Sequence, residues 1–248
     1  MSIYGTMAQY YDALTDDVPY EAFCAFIEKI FKKYKSSPKI VLDLACGTGS
    51  VTRLLAEKGY DMIGADLSPE MLMEAENKCA DLWNKPTFIR QSMTNLDLSG
   101  TVDAVVCLLD SVNYLDTLSK LDKACSRVSL FMNPGGLFIF DVNTAYKLSS
   151  IGGNSFVREA EGIFCVWQAA WKASTRTAEF YLDFFESEDD ENYVRSSEEH
   201  RERAHSPEEI QAALEKNGME LLAAYGELKF RAPREDEERI FYVARKRA

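Results

Sequence analysis

Val41-Leu-Asp-Leu-Ala-Cys-Gly-Thr-Gly-Ser50 decides the architecture: a short apolar strand carrying a carboxylate, Asp43, runs into a Gly-x-Gly turn and then a helix. Glycines at 47 and 49 let the chain turn sharply and let a ligand approach the main chain, where a side chain would block it. The helix opening near Ser50 points free N–H groups at the same place. Gly-x-Gly alone is equally a plain turn ending a strand. Two carboxylates favour a ligand. Asp43 sits four residues before Gly47, and Asp66, 23 residues after Asp43, ends the next apolar run, Tyr60 to Ala65. An acidic residue at that second strand end is placed to accept hydrogen bonds from a ribose diol.

Charge narrows the ligand. A dinucleotide pyrophosphate calls for Gly or Ala at the last position of Gly-x-Gly-x-x-Gly, and this chain has Thr52 there. Asp43 beside the turn repels a diphosphate, so an NAD(P) oxidoreductase is disfavoured. A ligand with an ammonium group near the turn and an adenosine near Asp66 suits both carboxylates, and S-adenosylmethionine (SAM) has that form.

Three motifs, Val41 to Thr52, Asp66-Leu-Ser-Pro-Glu-Met71 and Asn133-Pro-Gly-Gly-Leu-Phe-Ile-Phe-Asp141, resemble those of class I SAM-dependent methyltransferases in order and approximate spacing. The resemblance covers residues 38 to 145 strongly. Tyr10-Tyr11-Asp12, Asp110-Ser-Val-Asn-Tyr114 and Glu199-His-Arg-Glu-Arg203 extend it to a bacterial small-molecule-type subgroup of largely unassigned substrate. It implies an α/β fold: a Rossmann-like, doubly wound, seven-stranded methyltransferase sheet with an inserted antiparallel β-subdomain. It also implies SAM as methyl donor, S-adenosylhomocysteine as product and a small-molecule acceptor. A non-catalytic SAM sensor and an RNA methyltransferase stand as alternatives.

Ligands of open α/β sheets bind beyond the carboxyl ends of the strands. After the first strand, Asp43, Ala45, Cys46, Gly47, Thr48 and Gly49 are expected at the methionine end of SAM. After the second, Asp66 is expected on the ribose, with Leu67 and Met71 flanking the adenine. After the third, Ser92 and Met93 occupy the place where the family often has an acidic residue on the adenine amino group, and Asp97 is a poor replacement. Leu108 to Tyr114 should line the space between sulfonium and acceptor. Asp110, Asn113, Tyr114 and His200 are the candidate acceptor-side groups. His200 reads either as a general base near neutral pH or as an exposed strand residue among salt bridges. Tyr10 and Tyr11 read as a lid over the cofactor or as packing for an N-terminal helix. Trp167 and Trp171, on one side of a strand, wall an acceptor pocket or form the insert's own core.

Composition sets limits. With 248 residues and 46% apolar content the chain has ample core. Its net charge of −12 works against bulk nucleic acid and anionic membrane. Arg195, Arg201 and Arg203 are interleaved with Glu198, Glu199 and Glu202, which reads as salt-bridged strand surface. Six scattered cysteines and two histidines offer no metal site, and the thiols suggest a reduced, cytoplasmic protein. The N-terminus has no signal-peptide pattern, and no run approaches the ~20 apolar residues of a membrane helix. A monomer or weak homodimer is expected.

Spacing predicts a covering helix over 20–34, with Tyr20, Phe23, Cys24, Ile27, Ile30, Phe31 and Tyr34 on one face. Strands at 39–45, 60–65, 87–91, 102–109 and 136–142 then alternate with helices at 50–58, 68–80 and 117–131, the pattern of a parallel sheet covered on both faces. Residues 153–204 change to aromatic, β-branched runs, expected as antiparallel strands on the acceptor side of a SAM-binding core spanning 1–152. The acidic stretch 186–191 reads as a solvated hairpin turn. Ser206-Pro-Glu-Glu209 opens a helix ending at Asn217-Gly218, and strands at 219–230 and 239–246 complete the core within 205–248.

Overall fold

The computed structural model describes residues 7–160, 162–187 and 192–248. Five strands form the parallel part of the main sheet: β1 (Ile40–Leu44), β2 (Asp61–Asp66), β3 (Thr87–Arg90), β4 (Val102–Cys107) and β5 (Met132–Asn143). The hairpin of β10 (Met219–Gly226) and β11 (Arg239–Lys246) adds the last two, with β11 antiparallel to β5, giving the order β10-β11-β5-β4-β1-β2-β3. The order reverses between β1 and β4, which opens a crevice at their carboxyl ends.

Period-two alternation sends neighbouring residues to opposite faces, and both faces are apolar because helices cover both. Leu42, Val105, Phe138, Phe140 and Tyr242 pack under α5 (Leu118–Phe131) and α7 (Pro207–Lys216). Val41, Val106, Ile139, Phe241 and Val243 pack under α2 (Tyr20–Lys33) and α3 (Ser50–Glu57). The predicted face of α2 is buried from Phe23 to Phe31 and half-buried at Tyr20 and Tyr34, with Phe26 joining it against Tyr225, Phe230 and Phe241. Each such side chain contributes roughly 2 kcal/mol relative to exposure. Ser68 caps α4 (Pro69–Lys78), and Ser206 with Glu209 forms the expected capping box at α7.

After β5 the chain forms α6 (Ala145–Ile151) and then an antiparallel sheet of β6 (Ser155–Ala160), β7 (Ile163–Lys172), β8 (Thr177–Glu186) and β9 (Val194–Arg203). Its outer face carries the cross-strand pairs Arg195–Asp183 at 2.9 Å and Arg201–Glu179 at 2.6 Å. Arg195 and Arg201 thus pair across strands; Glu198 and Glu202 face the other side of β9, because neighbours in a strand face opposite ways. Arg203 reaches Glu209 of α7 at 2.8 Å.

Among the described residues four short elements escaped the sequence pattern. Helix α1 (Met7–Leu14) holds Tyr10 and Tyr11 within it, α6 follows β5, and Met93–Asn95 and Ser111–Tyr114 each wind into a single 3₁₀ turn. None carries a strong local signal. The strand expected over 219–230 stops at Gly226, where Arg231 and Glu237 fill the space above the glycine. Residues 188–191 of the acidic stretch lie outside the described residues. Among the described residues no helix is long and apolar enough to cross a membrane.

Candidate active site

One cavity of about 1070 Å³ runs from the glycine turn, past the ends of β1, β2 and β4, to the inner face of the four-stranded sheet. It is of the size that holds a ligand and a second small molecule together. Its borders include every residue expected at the site except Tyr10, Gly49, Val112, Asn113 and Trp171.

The two glycines have different tasks. Gly47 has φ +54° and open space where a Cβ would stand, on the cavity side of the turn. Gly49 has φ +75°, and a Cβ there would lie 2.8 Å from the Cβ of Ala75, so this glycine lets α3 pack against α4. The two substitutions therefore differ. Gly47→Val is expected to remove SAM binding and to lose some stability, because a β-branched residue is strained at φ +54°, whereas Gly49→Ala adds a clash with Ala75 to that strain and loses stability by more than about 1 kcal/mol. Ligand titration and thermal melting of both variants check the division.

Ala45 and Cys46 donate their N–H groups to the carbonyl of Ala65 at 2.7 and 3.1 Å, fixing the turn against β2. Asp66 then accepts N–H bonds from Gly47 and Ser68, both at 2.9 Å, one on each oxygen. A carboxylate has about four acceptor sites, so Asp66, which the Leu67 N–H also approaches, keeps acceptor capacity for a diol. Leu67 lies exposed at the cavity mouth, Met71 is buried beside it, and Ser92 and Met93 complete that end. Asp97 lies outside, its side chain 79% exposed beside Arg127.

Asp43 is buried and accepts the Thr52 hydroxyl at 2.6 Å. Thr52, unsuited to a pyrophosphate turn, has this structural use. Burial pushes the Asp43 carboxyl up to about 7, the Thr52 bond opposes this and the charge of Asp66 adds to it. A cationic ligand beside Asp43 favours the carboxylate, so SAM affinity is expected to rise with pH through about 7 as binding expels a proton. Calorimetry near pH 6.5 in buffers of differing ionisation enthalpy should register that proton, and Asp43→Asn should abolish it. For the free protein the sign is opposite. A carboxyl raised above its unfolded value stabilises the fold at low pH, and that stability is lost as pH rises through about 7.

Helix α1 roofs the turn. Thr48 donates its hydroxyl to Asp12 at 2.7 Å, and Lys78 pairs with Asp12 at 2.5 Å while donating to Thr48 and Ser50 at 2.9 and 2.7 Å. Tyr11 and Leu14 thereby border the cavity, while Leu14, Met7 and Tyr10 pack on Ile163, Cys165 and Phe184. The roof and the packing are one arrangement.

The acceptor-side candidates divide. Asp110 is held by Arg239 at 2.7 Å, and Arg239 also pairs with the fully buried Asp141. Asn113 is corrected from acceptor contact to scaffold. Its amide donates to the carbonyls of Asn143 and Arg203, both at 3.0 Å, and accepts the Asn143 N–H at 2.9 Å, away from the cavity. Tyr114 Oη stands 3.2 Å from His200 Nδ1, and His200 Nε2 stands 3.2 Å from Glu198. His200 is 6% exposed, so it is no exposed strand residue.

Glu202, read from sequence as surface, lies buried on the cavity wall and accepts the Asn143 side-chain N–H at 3.0 Å. The signal was available: residues 198, 200 and 202 alternate onto one face of β9, opposite Leu182, Phe180 and Ala178 of β8. Trp167 serves both uses weighed for it, bordering the cavity and stacking on Phe156 at 4.1 Å between centroids. Trp171 packs in the insert's apolar cluster.

Comparison with known proteins accords with this geometry. A methyltransferase-domain profile matches residues 41–136. A chain of Geobacillus sp. (strain WCH70), whose name gives methyltransferase and no acceptor, is 33% identical over 98% of this chain and 99% of its own. A crystal structure of an S-adenosylmethionine-dependent methyltransferase from Clostridium acetobutylicum ATCC 824 superposes with TM-score 0.88 at 34% identity, covering 99% of each chain. This chain belongs to the SAM-dependent methyltransferases. SAM is the methyl donor of this methyltransferase, and the open space over Gly47 and the acceptor sites left on Asp66 suit it. The Streptomyces venezuelae DesVI structure, 20% identical with TM-score 0.79, shares the fold of the methyltransferase across 99% of this chain.

Proposed function

We propose that the enzyme methylates a small molecule held between the SAM end of the cavity and the inner face of the four-stranded sheet. The observation that carries this reading is the continuity of one roofed cavity from Gly47 and Asp66 to Trp167, Phe180 and His200. A roof of α1 and walls of aromatic side chains suit a small acceptor, while a strand of RNA needs an open basic groove that a net charge of −12 does not supply. Structural neighbours that include a sugar N-methyltransferase and an amino pentose methyltransferase add support for the small-molecule class.

In this reading Asp66 holds the ribose, the 45–49 turn and Asp43 hold the methionine end, and Leu67 and Met71 flank the adenine. SAM bound there supplies an electrophilic methyl group on a sulfonium. The protein then contributes alignment and exclusion of water, which for such a displacement are the main requirements. Leu108 and Tyr114 border the passage between donor and acceptor, and Tyr114, His200 and Glu198 form a chain able to receive a proton. Residues 1–152 and 205–248 act as the SAM-binding core, and 153–204 as the acceptor side. The enzyme works as a monomer or weak homodimer, and its six free cysteines favour the cytoplasm.

The test is methyl transfer from labelled SAM into fractions of a bacterial extract. Label in small-molecule fractions supports the proposal; label confined to RNA or protein overturns it.

A further inference from the structure

The acceptor end of the cavity has a polar floor and an apolar wall. Trp167, Phe180, Leu182 and Cys165 of β7 and β8 make the wall. On the floor the ionisable groups are largely committed: Asp110 to Arg239, and His200 to Glu198 and Tyr114. Glu202 and Asn143 differ. Glu202 is 5% exposed, and the hydrogen bond described for its carboxyl is the one from Asn143. Asn143, also 5% exposed and also on the cavity, keeps its Oδ1 buried without a partner. A buried orphan acceptor is costly, and a donor supplied by a ligand recovers that cost.

Two adjacent acceptor groups beside an aromatic wall select a group that offers several N–H donors and a positive charge. Resting on the function proposed above, we infer that the acceptor is an amine on an apolar or ring-shaped body, and that Glu202 and Asn143 bind its nitrogen. An alcohol or thiol offers one hydrogen and leaves one of the two acceptors unserved. A carboxylate acceptor brings no donor for the Asn143 oxygen.

The proton balance is consistent. Burial pushes the Glu202 carboxyl up to about 8, with the charge of Asp110 adding to it and Asn143, Lys147 and Arg239 opposing. Among the described residues no ion pair closes between Lys147 and Glu202. A carboxyl in that range exchanges a proton with an ammonium at small cost near neutral pH, so the bound nitrogen is available with its lone pair free. The neutral nitrogen attacks the methyl carbon of SAM, the N–C bond forms as the C–S bond breaks, and the sulfur keeps the bonding pair. The resulting methylammonium then gives up one proton to His200 by way of Tyr114, since Glu202 already holds the proton taken from the incoming ammonium.

The experiment titrates the protein, loaded with S-adenosylhomocysteine, with benzylamine, benzyl alcohol and benzoate, for the wild type and Glu202→Gln. Benzylamine is expected to bind at least about tenfold more tightly than the other two. Glu202→Gln is expected to erase that preference while affinity for S-adenosylhomocysteine stays within about twofold. Equal binding of the three probes, an inverted order, no saturable benzylamine binding, or an undiminished preference in folded Glu202→Gln overturns the inference and leaves the methyltransferase reading intact. The wild-type comparison stands alone should the variant fail to fold. A folded wild type that takes up no S-adenosylhomocysteine overturns both.

Discussion

Asp66→Ala is expected to weaken SAM binding by about two orders of magnitude. The carboxylate offers its remaining acceptor sites to a diol, and hydrogen bonds to a charged group each contribute about 1.5–3 kcal/mol. The substitution also frees the N–H groups of Gly47 and Ser68, which Asp66 holds at 2.9 Å, so the turn loosens as well. Asp66→Asn separates the two effects, because its amide oxygen can still accept one N–H while the charge is lost. Its affinity should lie between those of wild type and Asp66→Ala. Calorimetric titration measures all three, and unchanged affinity in a folded Asp66→Ala would show that the ribose is held elsewhere.

The largest effect on stability is expected from Arg239→Met. Arg239 lies between Asp110 and the fully buried Asp141, so removing the guanidinium leaves two carboxylates without their cation. Breaking such a buried pair costs about 3–5 kcal/mol, or about 10 °C in melting temperature for a chain of this length. Burial already raises the Asp141 carboxyl above its ordinary range against the pull of Arg239. Without Arg239 it rises further, so the stability of the variant is fullest at low pH and is lost as pH rises through that higher value. The deficit against wild type should therefore shrink on acidification, as melts at about pH 5 and pH 8 would reveal.

The same substitution reaches the site. Asp141 accepts the N–H groups of Leu109 and Asp110 at 2.8 and 3.0 Å. Both residues have left-handed backbone, with φ of +55° and +54°, a conformation that costs roughly 1–2 kcal/mol per non-glycine residue. The salt-bridged carboxylate holds that turn, and the turn carries Tyr114 to the cavity wall. Methyl transfer by Arg239→Met should fall even at temperatures where the variant remains folded.

Much of this was legible in the sequence because strong local signals and geometry coincide. The strand–glycine–helix run at 41–50, Asp66 at the next strand end and the alternating apolar runs each obey one period, and the sheet follows from them. What escaped had no local signature. The conflict between Thr52 and a pyrophosphate turn was readable, but its bond to Asp43 joins residues nine apart across a turn. Asn113 looked like a site residue because it stands beside Asp110 and Tyr114, yet its amide is consumed by the backbone of β5 and β9. Glu202 was hidden by its charged neighbours. The run from 198 to 203 reads as surface until the strand alternation is applied, which puts His200 and Glu202 inside and Arg201 outside. Helix α1 is fixed by long-range contacts of Asp12 with Thr48 and Lys78 that no periodicity encodes.

The most direct test of the central claim is calorimetric titration of wild type and Gly47→Val with SAM and S-adenosylhomocysteine, with NADH as control. The account predicts saturable binding of both adenosyl ligands near one per chain in wild type, none of NADH, and loss of binding in a folded Gly47→Val. Normal SAM binding by Gly47→Val, or no binding by folded wild type, would contradict it.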